Sequence, residues 1–270
     1  MPATGFPTHE MTFRLDGRTA FLSGAAGHLG RAMARSLAQA GAHVILNGRT
    51  AAKLEAFRDE LAGAGFAASV AAFDVTDSAA AQDFFGGLSR LDVLINNAIT
   101  GGLPNKDSIS GLESFRMALE SGVVAAHHNI HAALPALEAA AAAIGHASVI
   151  NITSIYGHVS PTFEVYGAGM AASPPQYGAA KGGLLQLTRY LAVQLAPRRI
   201  RVNSLSPGIF PWDEVGTRFP DFIERASART PIGRTGQAHE IGGPTVFLAS
   251  DASSYMTGAD LLVDGGWTAW

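Results

Sequence analysis

The chain has 270 residues, a formal net charge of −3 and a pI near 6.3, which gives no electrostatic case for nucleic acid. Its 47% hydrophobic residues are ample for a core, yet they form no uninterrupted apolar run of about 18 residues that would indicate a membrane span. It contains no cysteine, which excludes disulfides and thiolate metal sites; the amino terminus lacks the basic start and apolar core of a secretory signal, and a cytoplasmic protein is expected.

Residues 1–13 read as a disordered tail. Strands and helices alternate from 14 to 270 with no linker-like run, so one α/β domain is expected there. The first strand lies near 18–23. It enters Ser23-Gly24-Ala25-Ala26-Gly27-His28-Leu29-Gly30, followed by a helical pattern over 28–40 and a second strand over 42–47. Gly24, Gly27 and Gly30 supply a tight turn, close backbone approach to a pyrophosphate, and close helix–strand packing. The helix amino terminus then faces the phosphates. The spacing is G-x-x-G-x-x-G rather than the commoner G-x-G-x-x-G. His28 reads as an exposed turn residue or a phosphate contact.

The second strand ends in Asn47-Gly48-Arg49-Thr50. Gly48 stands where an acidic residue would hold the ribose hydroxyls of NAD. Arg49 follows with a guanidinium suited to bidentate phosphate binding. This pattern favours NADP(H), with NAD(H) as the alternative. The plain reading is a solvated Arg49 beside Thr50, the cap of a helix over 50–64.

The third strand ends at Phe73, before Asp74-Val75 and a helix over 77–87. The fourth, 91–95, precedes Asn96-Asn97-Ala98. These strands are short, apolar and almost unalternating, as expected when both sheet faces are covered. An Ala-rich helix is expected over 111–143. Within it His127 and His131 have the i, i+4 spacing of zinc ligands. No third ligand is evident, so packing or solvent exposure is favoured and no metal site is assigned. A strand over 148–153 leads to Ser154. Then come a helix over 175–197, a strand over 200–205, a helix over 237–249 and a last strand over 259–263.

Tyr177-Gly-Ala-Ala-Lys181 opens the helix over 175–197. Tyr177 and Lys181 at i and i+4 share a helical face. A nearby ammonium favours phenolate and is expected to lower the phenol pKa, which suits proton exchange with an alcohol or carbonyl oxygen. Residues 161–175 and 209–235 read as loops. The second holds Phe210, Trp212, Phe219 and Phe222, aromatics that suit a lid over an apolar or ring-shaped substrate or anchors to the core.

Together these motifs resemble the short-chain dehydrogenase/reductase family. The resemblance spans roughly residues 14–270 and includes Asn151-Ile-Thr-Ser154, Arg201-Val-Asn-Ser-Leu-Ser-Pro207-Gly208 and Val263-Asp-Gly-Gly266. It implies a doubly wound Rossmann-type α/β fold with a mainly parallel seven-stranded sheet and helices on both faces. It also implies Tyr177 as general acid/base, Lys181 on the nicotinamide ribose and Ser154 on the substrate oxygen. The implied cofactor contacts are Ser23, Gly24, Gly27, His28, Leu29, Gly30, Asn47, Arg49, Asp74, Val75, Asn97, Ala98, Tyr177, Lys181, Pro207, Gly208 and Ile209. Asp74 would accept the adenine amino group.

The Ser154-to-Tyr177 gap is longer than in many relatives. Tyr166, within that insertion, has Met170 where a lysine would be needed, and it is expected to line the substrate pocket with Phe210 and Trp212. Many relatives carry an Asn in the central helix that anchors a proton-relay water. Here Gly122 takes its place, and Asn129, about two turns on, is no obvious substitute.

The resemblance points to an NADP(H)-dependent oxidoreductase acting on a small-molecule secondary alcohol or ketone. The Asn-Gly-Arg turn and the ending Val263–Trp270 look like relatives acting on sugar acids and polyols. A 3-ketoacyl thioester reductase, or a catalytically weak nucleotide-binding relative, is the alternative. A homotetramer is expected, with Trp267 and Trp270 covered at a subunit interface, since a bare terminus would expose large apolar rings.

Overall fold

The computed structural model describes residues 13–99, 111–167 and 169–270. The expected amino-terminal tail, apart from Phe13, lies outside them. The seven strands are β1 (Thr19–Leu22), β2 (His43–Gly48), β3 (Ala68–Ala72), β4 (Val93–Asn96), β5 (Ala147–Ile152), β6 (Ile200–Pro207) and β7 (Asp260–Val263). They form one sheet in the order β3-β2-β1-β4-β5-β6-β7. Every pairing is parallel, so the sheet is wholly rather than mainly parallel. The order reverses between β1 and β4, and open sheets of this kind bind ligands at such a point, beyond the carboxyl ends of the strands.

Helices α1 (His28–Gln39), α2 (Ala51–Gly63) and α10 (Gly242–Ala249) cover one face. Met33, Leu37, Leu54, Phe57 and Leu248 pack there with Leu22, Leu46 and Ile95. Helices α3 (Ser78–Gly86), α5 (Ala125–Ile144) and α7 (Pro175–Leu195) cover the other. Phe85, Ile130, Leu137 and Leu191 meet Phe21, Leu94 and Val149 there, and the alanines of α5 let its backbone approach the sheet closely. Asp77 caps α3 by accepting the backbone N–H groups of Ala79 and Ala80, each at 3.1 Å, as expected for an N-cap acid.

The two ends of the sheet differ. At the amino ends, Arg18 donates to both Asp251 oxygens at 2.7 and 2.8 Å. His146 Nε2 lies 2.7 Å from the same carboxylate. The buried Asp92 accepts the Thr19 backbone N–H at 2.8 Å. Ion pairs thus close this end, while the carboxyl ends open into a cleft.

Three expectations need correction. The helix over 111–143 is α4 (Leu112–Leu119), a π-helical turn (Glu120–Val124) and α5. One residue is inserted in the helix there, and Ser121 Oγ donates to the Met117 carbonyl at 2.8 Å. The two supposed loops are partly helical: the first holds the single turn α6 (Phe163–Tyr166), the second α8 (Asp213–Arg218) and α9 (Pro220–Arg229). Pro220 at the first helical position supplies a fixed φ and gives up an N–H that has no intrahelical partner.

The third correction concerns the carboxyl terminus. Trp267 is 2% exposed and packs within its own chain against Ile155, Val165, Tyr166, Phe222 and Ala226. Asp264 ties the ending down by accepting Gly266 N, Thr268 N and Thr268 Oγ1 at 2.9, 2.9 and 2.6 Å. The Arg229 guanidinium lies 5.1 Å from the Trp267 ring and 5.4 Å from the Trp270 ring. Trp267 needs no partner subunit to cover it; Trp270 remains 72% exposed.

Removing a buried aromatic costs about 3–5 kcal/mol, whereas exposed positions usually stay within about 0.5 kcal/mol. Trp267→Ala should therefore lower the denaturant midpoint strongly, and Trp270→Ala should leave it almost unchanged. Equal shifts for the two variants in a urea titration would contradict this packing.

Candidate active site

A cleft of about 570 Å³ opens at the switch point. Its floor is the glycine turn. Gly24 has φ +65°, and a Cβ there would lie 2.9 Å from Asn97 Nδ2; a Cβ at Gly30 would collide with the Gly24 carbonyl oxygen. Only glycine fits both places. Asn97 Nδ2 donates to Ser23 O at 2.9 Å and Gly24 O at 3.3 Å. Ser23 Oγ accepts Asn97 N and Ala98 N at 2.9 and 3.0 Å. These bonds hold the tips of β1 and β4 together. Gly27 caps α1 without a side-chain bond, which leaves the amino-terminal N–H groups of α1 available to an anion.

The far wall carries the expected phosphate reader. Arg49 lines the cleft, largely exposed, with its Nη1 4.0 Å from Asp74 Oδ2. So loose and solvated a pair contributes little and leaves the guanidinium available. Asp74 Oδ1 accepts Thr76 N and Oγ1 at 3.0 and 2.8 Å, so its turn is fixed while Asp77 caps the helix. Asn47 is buried. Its Nδ2 donates to Ala71 O and Phe73 O at 2.9 and 3.2 Å, stitching β2 to β3. Lys53 also lines this wall. Sequence reading missed it, although it follows Arg49 by four residues, in the first turn of α2.

Ser154, Tyr177 and Lys181 converge on the inner wall. The reason is local. The 3-10 turn Ile155–Gly157 packs backbone to backbone on α7. A Cβ at Gly157 would lie 3.0 Å from the Lys181 carbonyl carbon, and one at Gly178 would lie 2.9 Å from the Tyr156 carbonyl oxygen. Ser154 Oγ accepts Tyr156 N at 3.2 Å and starts that turn. The glycines inside and beside the Tyr177–Lys181 motif thus bring the serine to it.

The electrostatics differ from the sequence expectation. Lys181 is 3% exposed, and its Nζ donates to Ile152 O at 2.6 Å. Burial pulls its pKa down to about 8. Burial pushes the Tyr177 phenol up, and a hydrogen bond with Ser154 pulls it back down. The ammonium sits 5.6 Å from the Tyr177 ring centre. Desolvation acts on both groups and favours their neutral forms, so proximity to Lys181 does not by itself produce a phenolate.

A small cavity behind Lys181 is lined by Ser23, Asn96, Ser121, Gly122 and Asn129. Asn129 therefore faces the same space as Gly122 and Lys181, contrary to the expectation that it stood too far off. The Asn96 and Asn129 Oδ1 atoms are buried there without a partner.

Of the other expected residues, His28, Leu29, Val75, Ala98, Pro207, Gly208, Phe210 and Trp212 line the cleft. Ser23 acts from behind it. Ile209 packs instead beside the cluster around Trp267 and lines a neighbouring pocket. Tyr166 is a correction. It is buried, its hydroxyl lies 2.5 Å from that of Tyr156, and its ring is 5.4 Å from Phe222. The insertion folds Tyr166 into the cluster around Trp267 rather than into the cleft. His127 and His131 stack on each other with ring centres 4.4 Å apart.

Comparison with known proteins follows the same lines. The family profile described as enoyl-(acyl carrier protein) reductase matches residues 24–268. Gluconate 5-dehydrogenase of Gluconobacter oxydans is 33% identical, over 97% of this chain and 98% of the relative. Galactitol 2-dehydrogenase (L-tagatose-forming) of Cereibacter sphaeroides is 35% identical, over 97% and 99%. The crystal structure of a gluconate 5-dehydrogenase from Burkholderia cenocepacia, in complex with NADP and tartrate, superimposes with a TM-score of 0.81 at 31% identity. That superposition covers 96% of this chain and 98% of the other.

Proposed function

The chain belongs to the short-chain dehydrogenase/reductase family, and on that premise we propose that it is an NADP(H)-dependent oxidoreductase interconverting a secondary alcohol and a ketone on a sugar acid, polyol or related small molecule. The observation that carries this reading is the convergence of Ser154, Tyr177 and Lys181 on one wall of the switch-point cleft. The residues present fit the dinucleotide. The glycine cradle admits no Cβ at Gly24 or Gly30, the α1 amino terminus is free of a side-chain cap, and Arg49 and Lys53 flank the far end.

When bound, the nicotinamide supplies or accepts the hydride. Tyr177 exchanges the proton at the substrate oxygen. Ser154 Oγ donates a hydrogen bond to that oxygen and stabilises its developing charge. Lys181, held by the Ile152 carbonyl, binds the ribose hydroxyls. Arg49, with Lys53 beside it, takes the 2′-phosphate. Gluconate 5-dehydrogenase and galactitol 2-dehydrogenase among the relatives support the polyhydroxylated substrate class.

Assembly and location belong to the same reading. Met117 on α4, Val124 on the π turn, and Tyr190 and Val193 on α7 are exposed apolar side chains, Val193 at 79%. These helices lie side by side and form an apolar face suited to a second copy. β7 is the last strand of the sheet, and its Leu262 is exposed. Two such surfaces support a homotetramer. No described helix is long and apolar enough to cross a membrane, and with no cysteine in the chain we place the protein in the cytoplasm.

NADPH oxidation with a panel of keto-sugar acids, ketopolyols, simple ketones and β-ketoacyl esters tests the activity. Turnover confined to the esters would overturn the substrate class. Tyr177→Phe should reduce kcat by about 10²–10⁴-fold with cofactor affinity nearly unchanged, while Tyr166→Phe should retain most activity; the reverse order would refute the assignment.

Arg49→Ala should weaken NADPH about ten- to a hundredfold, the worth of a charge-assisted hydrogen bond, and leave NADH almost unaffected. Equal affinity of the unaltered protein for NADPH and NADH would contradict the cofactor preference.

Light scattering should give a mass near four times the 28.0 kDa chain. A monomer would remove the assembly proposal, and a dimer would remove one of its two interfaces.

A further inference from the structure

The segment after Gly208 is anchored most firmly at its two ends, with Val215 and Phe219 between them only partly buried against the cluster around Trp267. Phe210 is anchored at one end: it packs against the main core, and a Cβ at Gly236 would lie 2.5 Å from its ring. Phe222 is buried at the other end. Between them α8 has no buried residue. Trp212, immediately before α8, is 48% exposed. It nevertheless has a specific partner. Its ring stacks on the His28 imidazole with centres 4.9 Å apart and planes inclined by 27°.

His28 is the first residue of α1 and part of the turn that faces the phosphates. Both rings line the cleft. The stack therefore joins the outer segment directly to the phosphate end of the site, across the way in. It also shuts His28 Nε2 from solvent with no hydrogen-bond partner. A buried polar atom left unpaired disfavours the closed arrangement, so the stack is marginal on its own. The His28 ring also bonds to the Pro211 backbone and faces Asp213, so it is tied to this segment by more than the stack.

We propose that His28 and Trp212 form a clasp, which closes the Trp212–α8 segment over the phosphate-binding turn and slows departure of the dinucleotide. The inference rests on the cofactor reading above and adds to it a pair of residues acting together. Trp212 thus belongs to cofactor retention rather than to the substrate pocket.

The test is the rate at which NADPH leaves the full-length protein, followed by NADPH fluorescence after rapid mixing with excess NADP⁺. An aromatic pair of this kind corresponds to roughly two- to tenfold in a rate. His28→Ala and Trp212→Ala should each speed dissociation by that factor. The double variant should be no faster than either single one, because each alone opens the clasp. His28→Phe preserves the ring but loses the bond to the Pro211 backbone, so it should speed dissociation less than His28→Ala does. Trp212 is half exposed, so Trp212→Ala leaves folding intact even if His28→Ala perturbs the turn.

Unchanged dissociation in Trp212→Ala, or factors that multiply in the double variant, would overturn the clasp while leaving the cofactor reading intact. Failure of the unaltered protein to bind NADPH at all would overturn both.

Discussion

The constraint behind the whole molecule is a sheet of parallel strands covered on both faces. Between neighbouring strands the backbone groups are used up and both faces are covered, so the chemistry open to a ligand gathers at the strand ends. The amino ends are sealed by carboxylates that gather Arg18, His146 and the Thr19 backbone. The carboxyl ends are left to function. The order reversal between β1 and β4 then parts the crossover connections, and the cleft forms there because no helix fills it. Ser23, Asn97 and Ser154 are polar for this reason. Each stands where a buried apolar strand meets the cleft.

Much of this was legible in the sequence because it is written in local periodicity. Short apolar runs bounded by glycine or asparagine marked the strands. Gly24 and Gly30 were readable because a steric requirement leaves no other residue at those turns. That Arg49 lines the cleft was readable because it directly follows a strand end. The unread features depend on contacts between distant segments. Nothing around Glu120–Val124 announces an extra residue in the helix, and nothing local announces that Asn129 shares a cavity with Lys181. Tyr166 and Trp267 looked like surface or pocket residues because their neighbours, Tyr156 and Phe222, come from other parts of the chain. Lys53 was passed over because a charge on an amphipathic helix is usually solvated.

The two cations that matter most in the cleft are placed in opposite environments. Arg49 is exposed, near Asp74 but not bound to it, and water screens it until a phosphate displaces that water. The proposed role of reading the 2′-phosphate needs such a free partner. Lys181 is enclosed, and burial has lowered its proton affinity to about 8. Its ammonium holds one carbonyl, Ile152 O, and so retains donors for another oxygen. A lysine left in solvent would be charged but unplaced; one buried without a partner would lose its proton. The single carbonyl bond lies between these limits.

The same compromise governs Tyr177. Its phenol is disfavoured as an anion by burial, an effect that the hydrogen bond with Ser154 offsets only in part. Ser154 reaches it only because the turn after β5 lies directly on α7, which in turn requires glycine at 157 and 178. Catalytic electrostatics here are therefore set by backbone packing. A side chain added at Gly178 would separate the serine from the tyrosine without removing either. The motif read along the helix as Tyr-x-x-x-Lys is, in three dimensions, a surface on which a second strand end must rest, and its small residues matter as much as its reactive ones.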